Sequence, residues 1–301
     1  MPAARGSTRT PATAPRAAAA RTKALPTIAE MDAYVARTIE EERDQALQEA
    51  QQLIYDAWEG ATARATQVLA RKAIAVSPLC ADGYGMLATY AKSTEAACDL
   101  FTLAVAAGER ALGPVRFREL AGEFWGFLET RPYMSARFGL ACCLLELGQQ
   151  EAAIGHFNDL LDLNPEDNQG VRYTLLACLL ERDDIAGARD LLASYEDEAS
   201  VYWSYTRLLL MFRDGATTAE TTQELLREAW EVNRHVPAIL AGTKAERGPK
   251  SMGVAVGSAE EATAYVQSFG AAWHATPGAV AWLADACVGP RTSRSRAKAK
   301  G

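Results

Sequence analysis

Histidine is scarce, the cysteines are not spaced for chemistry, and runs of β-branched residues are few. The 301-residue chain has three histidines, His156, His235 and His274, and six cysteines, Cys80, Cys98, Cys142, Cys143, Cys178 and Cys287. No Cys-x-x-Cys pair occurs, and the adjacent Cys142 and Cys143 point in different directions on a helix. That spacing fits no zinc site, and the thiols read as small buried hydrophobes of a reducing compartment. His-Glu-x-x-His, Gly-x-x-x-x-Gly-Lys and Gly-x-Gly-x-x-Gly are all missing. No histidine stands near a Cys or Ser in a pattern that would activate a nucleophile. Acidic pairs such as Glu41-Glu42, Asp183-Asp184 and Glu260-Glu261 are adjacent, so on a helix they diverge into solvent. These absences argue for a protein that is not an enzyme, with no catalytic residue, no metal and no cofactor. No window approaches ~18 uncharged apolar residues, so no membrane span is expected, and the chain is placed in the cytoplasm.

Acid is missing from both ends. Residues 1–26 carry Arg5, Arg9, Arg16, Arg21 and Lys23 and no acid; residues 289–301 carry Arg291, Arg294, Arg296, Lys298 and Lys300 and no acid. The formal charge of −7 therefore hides a split, because the 21 remaining basic residues face 38 acidic ones, a formal −17. Both ends lack apolar bulk and read as disordered basic tails. The N-terminal one also has the Arg- and Ser/Thr-rich composition of a targeting peptide. An acidic body argues against nucleic acid along its surface, which leaves the tails as the only part suited to nucleic acid or another acidic partner.

What is present is helix-forming. Hydrophobic residues make up 49 % of the chain and charged residues 23 %, ordinary for a folded protein, and alanine and leucine dominate over β-branched residues, which favours an all-α fold. The stretch Arg131 to Pro165 sets the pattern. Leu140, Leu144 and Leu147 share one helical face, Gly148 ends that helix, and Ala153, Phe157, Leu160 and Leu161 share a face of the next. Asn164-Pro165 closes the unit, since proline cannot continue a helix. Further copies run through Leu53, Ala65, Leu69, Ala73 and Pro78; through Leu87-Ala88, Ala96-Ala97 and Phe101; through Leu175, Leu179-Leu180, Ala188 and Leu192; and from Tyr202 to Pro237 with Leu225-Leu226 and Trp230.

At Leu140, Ala141, Leu144, Gly148, Ala153, Phe157 and Pro165 the unit resembles a tetratricopeptide repeat, a helix–turn–helix of about 34 residues that needs neighbours to bury its apolar face. The resemblance implies a helical-hairpin solenoid, a right-handed superhelix, over residues 27–237. Within it Thr27 to Trp58 reads as one long helical stretch, and Gly113-Pro114 introduces an inserted helix near 114–130, carrying Phe117, Leu120, Phe124, Trp125, Phe127 and Leu128. Residues 238–288 read as a glycine-rich loop, Gly242 to Val256, followed by two helices that cap the array. At Asn233-Arg234-His235-Val236-Pro237, with Ser258 to Trp273 and Pro277-Gly278-Ala279, the chain is also similar to the C-terminal part of the suppressor-of-tumorigenicity-7 family. The membrane spans of animal members have no counterpart here, and that resemblance implies no catalytic residue.

Stacked hairpins expose a surface formed by the first helix of each pair. By the repeat register it carries Gln51, Tyr55, Tyr84, Thr89, Phe138 and Tyr173. The Lys, Asn and Arg that hold a peptide's carboxylate in some tetratricopeptide domains are replaced by Gln51, Tyr55, Gly85, Thr89, Phe138 and Cys142. An aromatic groove at Tyr55, Tyr84, Phe138 and Tyr173 suits an extended or helical apolar segment of a protein partner, although each ring could equally be packed inside. A second constellation, Trp125, Glu129, Arg131 and Tyr133, offers an anion or pocket site, with Arg131 to hold an anion and Glu129 as a base if desolvated.

Overall fold

The computed structural model describes residues 24–60, 62–217, 220–243 and 254–288. Among them all regular structure is helical. The expected tails fall outside the described residues at 1–23 and 289–301, as does most of the glycine-rich loop, 244–253. Residues 24–26 are described, and Leu25 packs on the core instead of belonging to a tail.

The stretch from Thr27 to Trp58, expected as one helix, is two. Helix α1 (Ile28–Arg37) starts at a capping box in which Thr27 Oγ1 accepts from the Glu30 N–H and the Glu30 carboxylate takes the Thr27 N–H at 2.7 Å. Thr38 and Ile39 are extended, and the Arg43 guanidinium closes the corner by donating to the carbonyls of Val35 and Thr38, 3.2 and 2.6 Å away. Helix α2 (Glu40–Trp58) opens with three glutamates in its first turn, where the helix dipole favours them. The correction has a local cause: a β-branched pair of low helix propensity precedes an acidic run that suits a helix start.

From α2 onward the chain forms helical hairpins. Helix α2 pairs with α3 (Ala63–Val76), α4 (Ala81–Ala88) with α5 (Thr94–Glu119), and α6 (Arg131–Glu146) with α7 (Gln150–Leu163). Helix α8 (Val171–Glu181) pairs with α9 (Ile185–Ser194), and α10 (Val201–Arg213) with α11 (Glu220–Val232). Each hairpin also packs on the next, through α3–α4, α5–α6, α7–α8 and α9–α10. Three inter-helix turns share one geometry. At Gly148 (φ 74°) its N–H reaches the Leu145 carbonyl at 3.0 Å and the Gln149 N–H reaches Leu144 at 2.8 Å, a Schellman cap. The same pair of bonds recurs at Asp183 (φ 58°) and at Gly215 (φ 74°). Asp183 carries the left-handed conformation without glycine's freedom, which aspartate tolerates better than most side chains.

The α5–α6 contact is built on two glycines. A Cβ on Gly108 would sit 2.9 Å from Tyr133 Cβ, and one on Gly139 would sit 2.4 Å from the Phe101 ring. Each helix thus lodges an aromatic ring over a glycine of the other. The seam continues through Ala141, Ala153 and Phe157, all fully buried.

The inserted helix expected near 114–130 is not formed as such. Gly113 (φ 68°, ψ 164°) kinks α5, which resumes at Pro114 and ends at Glu119. Two short 3-10 turns follow, Phe124–Gly126 and Leu128–Thr130. The fully buried Thr130 hydroxyl ties them together through the Phe124 and Phe127 carbonyls, the second at 2.8 Å. Gly122 (φ 91°) and Gly126 leave too short an uninterrupted run for a helix.

The C-terminal helices are α12 (Val236–Leu240), α13 (Ala259–His274) and α14 (Ala279–Val288). Ser258 caps α13, accepting from the Glu261 N–H at 3.1 Å. Helix α14 packs on α11 and α12, at the end of the hairpin series, but α13 lies against α8 and α10, the first helices of two hairpins. A helix expected to close the end of the array therefore also covers part of the first-helix row.

Candidate interaction surface

The aromatic groove predicted on the first helices is only partly assembled. Tyr55 is 45 % exposed and lies 5.7 Å, ring to ring, from the still more open Trp58. Next to them Gln51 of α2 donates to Asp82 of α4 at 2.8 Å, so this row does join adjacent first helices. Tyr84 is fully buried, with its hydroxyl donating to the Pro78 carbonyl at 3.1 Å. It belongs to the core and not to a groove: α4 is apolar almost all round, and six of its eight residues are buried. Phe138 is half-buried, 5.8 Å from Phe157 inside its own hairpin.

Tyr173 does line an open cleft. Leu145 at the end of α6, Tyr173 and Ala177 of α8, Tyr202 of α10, and Ser268 and Phe269 of α13 surround about 390 Å³. Tyr202 is its centre, with Tyr173 at 5.0 Å, Phe269 at 5.6 Å and Tyr265 at 5.9 Å between ring centroids. The expected repeat register includes Tyr173, whereas Tyr202 and the α13 residues carry no signal in it.

Tyr173 is held from below by Arg172. The guanidinium stacks within 4.5 Å of the Tyr173 ring and 5.2 Å of the Tyr195 ring, and lies 6.0 Å from Trp203. It donates to Asp167 Oδ2 at 3.0 Å, to Glu198 Oε2 at 3.0 Å through Nε, and to the Tyr173 hydroxyl at 2.8 Å. Tyr173 in turn donates to Glu198 at 2.9 Å. Burial raises the pKa of Glu198, but the bonds from Arg172 and Tyr173 outweigh it and hold that carboxyl below its usual value. The fully buried Asp167 carboxylate also accepts from the N–H groups of Val171 and Arg172 at 2.7 and 2.9 Å, so it satisfies the start of α8. One arginine thus fixes the angle between the hairpins of α8 and α10 and orients the cleft's wall.

The second constellation does not come together as a site. The Arg131 guanidinium stacks on Trp125 at 5.0 Å and donates to its carbonyl at 3.1 Å. Glu129 is exposed, so the desolvation that would make it a base is missing. Tyr133 is 1 % exposed, packed against Phe117 and Phe124 at 4.9 and 6.2 Å, with its hydroxyl taken by Arg137. These residues form an aromatic plug on α5 and α6.

The segment Asn233-Arg234-His235-Val236-Pro237 is a clamp. The buried Asn233 donates through Nδ2 to the Ser258 carbonyl at 2.9 Å and to Glu261 at 2.8 Å, and its Oδ1 accepts the His235 N–H at 3.0 Å. Its own carbonyl accepts the Tyr205 hydroxyl at 2.6 Å. One residue therefore joins α10, α11, α12 and α13. Val236 and Pro237 are buried at the start of α12.

Six free thiols are present, and burial pushes Cys80 up to about 12 and Cys142, Cys178 and Cys287 up to about 11. Thiols so raised stay protonated at neutral pH and are weak nucleophiles and ligands. Among the described residues no group of three or more His, Cys, Asp or Glu could hold a metal, and no helix is long and apolar enough to cross a membrane. Compared with protein-family models, with curated proteins and with solved structures, the chain matches none.

Proposed function

We propose that this chain is a tetratricopeptide-like helical-hairpin solenoid that serves as a protein-interaction scaffold and seats a short apolar segment of a partner in the cleft between α8, α10 and α13. The observation that carries the reading is the partly open pair of rings Tyr173 and Tyr202, backed by the buried Phe269, a preformed aromatic wall where α8, α10 and α13 border one cleft. The turn geometry repeated at Gly148, Asp183 and Gly215 supports the repeat assignment, with intervals of about 34 residues. Rigid aromatics give contact area at little entropic cost, and the Arg172 hub removes the reorganisation that a loose tyrosine would need. The shared Asn-x-His-Val-Pro segment, read as the Asn233 clamp, supports kinship with the suppressor-of-tumorigenicity-7 family in the C-terminal part.

A photo-crosslinking residue placed at Thr174, on the lining of the cleft, tests this in the full chain inside its native cells, with the exposed Gln52 as the control position. A protein adduct specific to position 174, and lost when Ser268→Arg narrows the cleft, is the expected result. Identical adducts from both positions, or none from 174, would refute the groove reading.

A further inference from the structure

The second groove lies on the other flank of α8. Leu175 and Leu179 of α8 form its floor, and at about 100° per residue they project about 120–160° away from Tyr173 and Ala177 of the cleft. The walls are the second helices α7 and α9, with Ile154 and Leu161 half-buried on one side and Leu191 on the other. The groove encloses about 570 Å³. Three carboxylates stand at it, Asp162 from α7, Asp184 at the N-terminal cap of α9 and Asp190 from α9, and none of the residues that line it is basic. Asp184 spends one oxygen on the Gly187 N–H at 2.9 Å, capping α9. Asp162 and Asp190 are exposed and form no ion pair among the described residues. Other exposed acids do find partners, as Asp214 does in Arg189 and Asp159 in Arg137.

We infer that the α7–α9 groove is a docking site for a basic peptide segment of another protein, one that sets an aliphatic side chain over Ile154 and Leu161 and flanking lysines or arginines against Asp162, Asp184 and Asp190. Charge complementarity selects this occupant. An acidic or neutral apolar segment would leave three carboxylates partly desolvated and unpaired, whereas a basic one pairs them. This site is independent of the aromatic cleft, since the two share no lining residue.

The test is fluorescence anisotropy with the full chain and a labelled Lys-Leu-Lys-Leu-Lys peptide, against Glu-Leu-Glu-Leu-Glu. Binding of the basic peptide only, weakened about five- to tenfold by Asp162→Asn with Asp190→Asn and falling steeply with salt, is expected. The same peptide should bind unchanged to Glu41→Gln with Glu42→Gln, a pair of exposed acids on α2. Both variants alter exposed side chains, and unchanged circular dichroism shows that they fold. Equal weakening by the two pairs, equal binding of the acidic peptide, or no binding at millimolar concentration would overturn the inference. Binding that emerges only when Arg291, Arg294, Arg296, Lys298 and Lys300 are changed to Gln would assign the groove to the chain's own C-terminal segment. Peptide that competes with self-association in sedimentation would assign it to a second copy. Either result also overturns the external partner.

Discussion

Replacing Asn233 with alanine removes three hydrogen bonds in one step. Two are neutral, to the Ser258 carbonyl and from the His235 N–H, and one runs to the Glu261 carboxylate. At about 1 kcal/mol for each neutral bond and about 1.5–3 kcal/mol for the charged one, the loss is about 4 kcal/mol. Because each helix packs mainly on its neighbours, the damage should stay near α12, α13 and α14. Amide hydrogen exchange followed by mass spectrometry reads it directly: about 4 kcal/mol corresponds to several hundredfold loss of protection in α13, with α6 and α7 nearly unchanged. Asn233→Asp separates hydrogen bonding from packing. It keeps the volume and the acceptor for His235, but it faces the Glu261 carboxylate with a second carboxylate. It should therefore be at least as harmful as alanine at neutral pH and recover as the pair takes up a proton in acid. Protection of α13 within about threefold of the unaltered chain in both variants, or an equal loss in α6 and α13, would refute the clamp.

Three further outcomes follow from the packing and the buried groups. Gly139→Ala drives a methyl into Phe101 and should cost about 1–3 kcal/mol, whereas Gly155→Ala, with nothing within 4 Å of the new methyl, should gain up to about 1 kcal/mol; urea titration ranks them. His156 has a buried, unbonded Nδ1, and burial and then Arg137 lower its pKa. As pH falls below 6.5 the unfolded chain takes up that proton first, so stability present above this pH is lost toward the lower folded value. His156→Gln should flatten the decline, and an unchanged slope between pH 7 and 5 would count against it. Cys80 is raised from 9.0 to about 12, so its contribution is whole below pH 9 and is lost as pH climbs toward 12. Relative to its own value at pH 8, Cys80→Ala should lose about 2 kcal/mol less than the unaltered chain at pH 10.5.

The parts of the fold legible in sequence were those written in steric terms. Gly113-Pro114, Gly148, Asn164-Pro165 and Pro277-Gly278 restrict the backbone whatever surrounds them, and each sits at a kink or a helix end. The break at Thr38-Ile39 is weaker, because β-branching only biases a helix. Gly108 and Gly139 could have marked the close α5–α6 approach, since an isolated glycine in a helical pattern often marks a packing contact. Facing was harder than periodicity. The expected repeat register puts Tyr55, Tyr84, Phe138 and Tyr173 on one surface of the first helices, but exposure depends on what the neighbouring hairpin brings. Next to Tyr84 it brings a closed core, and beside Tyr173 it leaves a cleft. The stripe of Ala262, Tyr265, Val266, Phe269 and Trp273 says that α13 must pack, and nothing local says that it packs on α8 and α10.

That placement of α13 constrains how a scaffold of this kind would work. A partner segment in the proposed cleft would meet Ser268 and Phe269 at one wall, so part of that surface would come from outside the hairpin series. The same helix is fixed at its start by Asn233 and Ser258, and its interior is anchored by Tyr265, whose ring lies 5.9 and 5.7 Å from those of Tyr202 and Tyr205 on α10 and whose buried hydroxyl accepts from Trp273 at 2.8 Å. Tyr265 also stacks on Phe269 at 5.0 Å. Any perturbation that loosens the clamp thereby shifts Phe269, and with it the cleft wall, while Tyr173 stays locked by Arg172 and Glu198. Clamp variants should therefore weaken binding in the aromatic cleft and leave the α7–α9 groove intact, because that groove draws no residue from α12, α13 or α14. A single Asn233→Ala chain assayed against ligands of both grooves separates the two surfaces within one molecule.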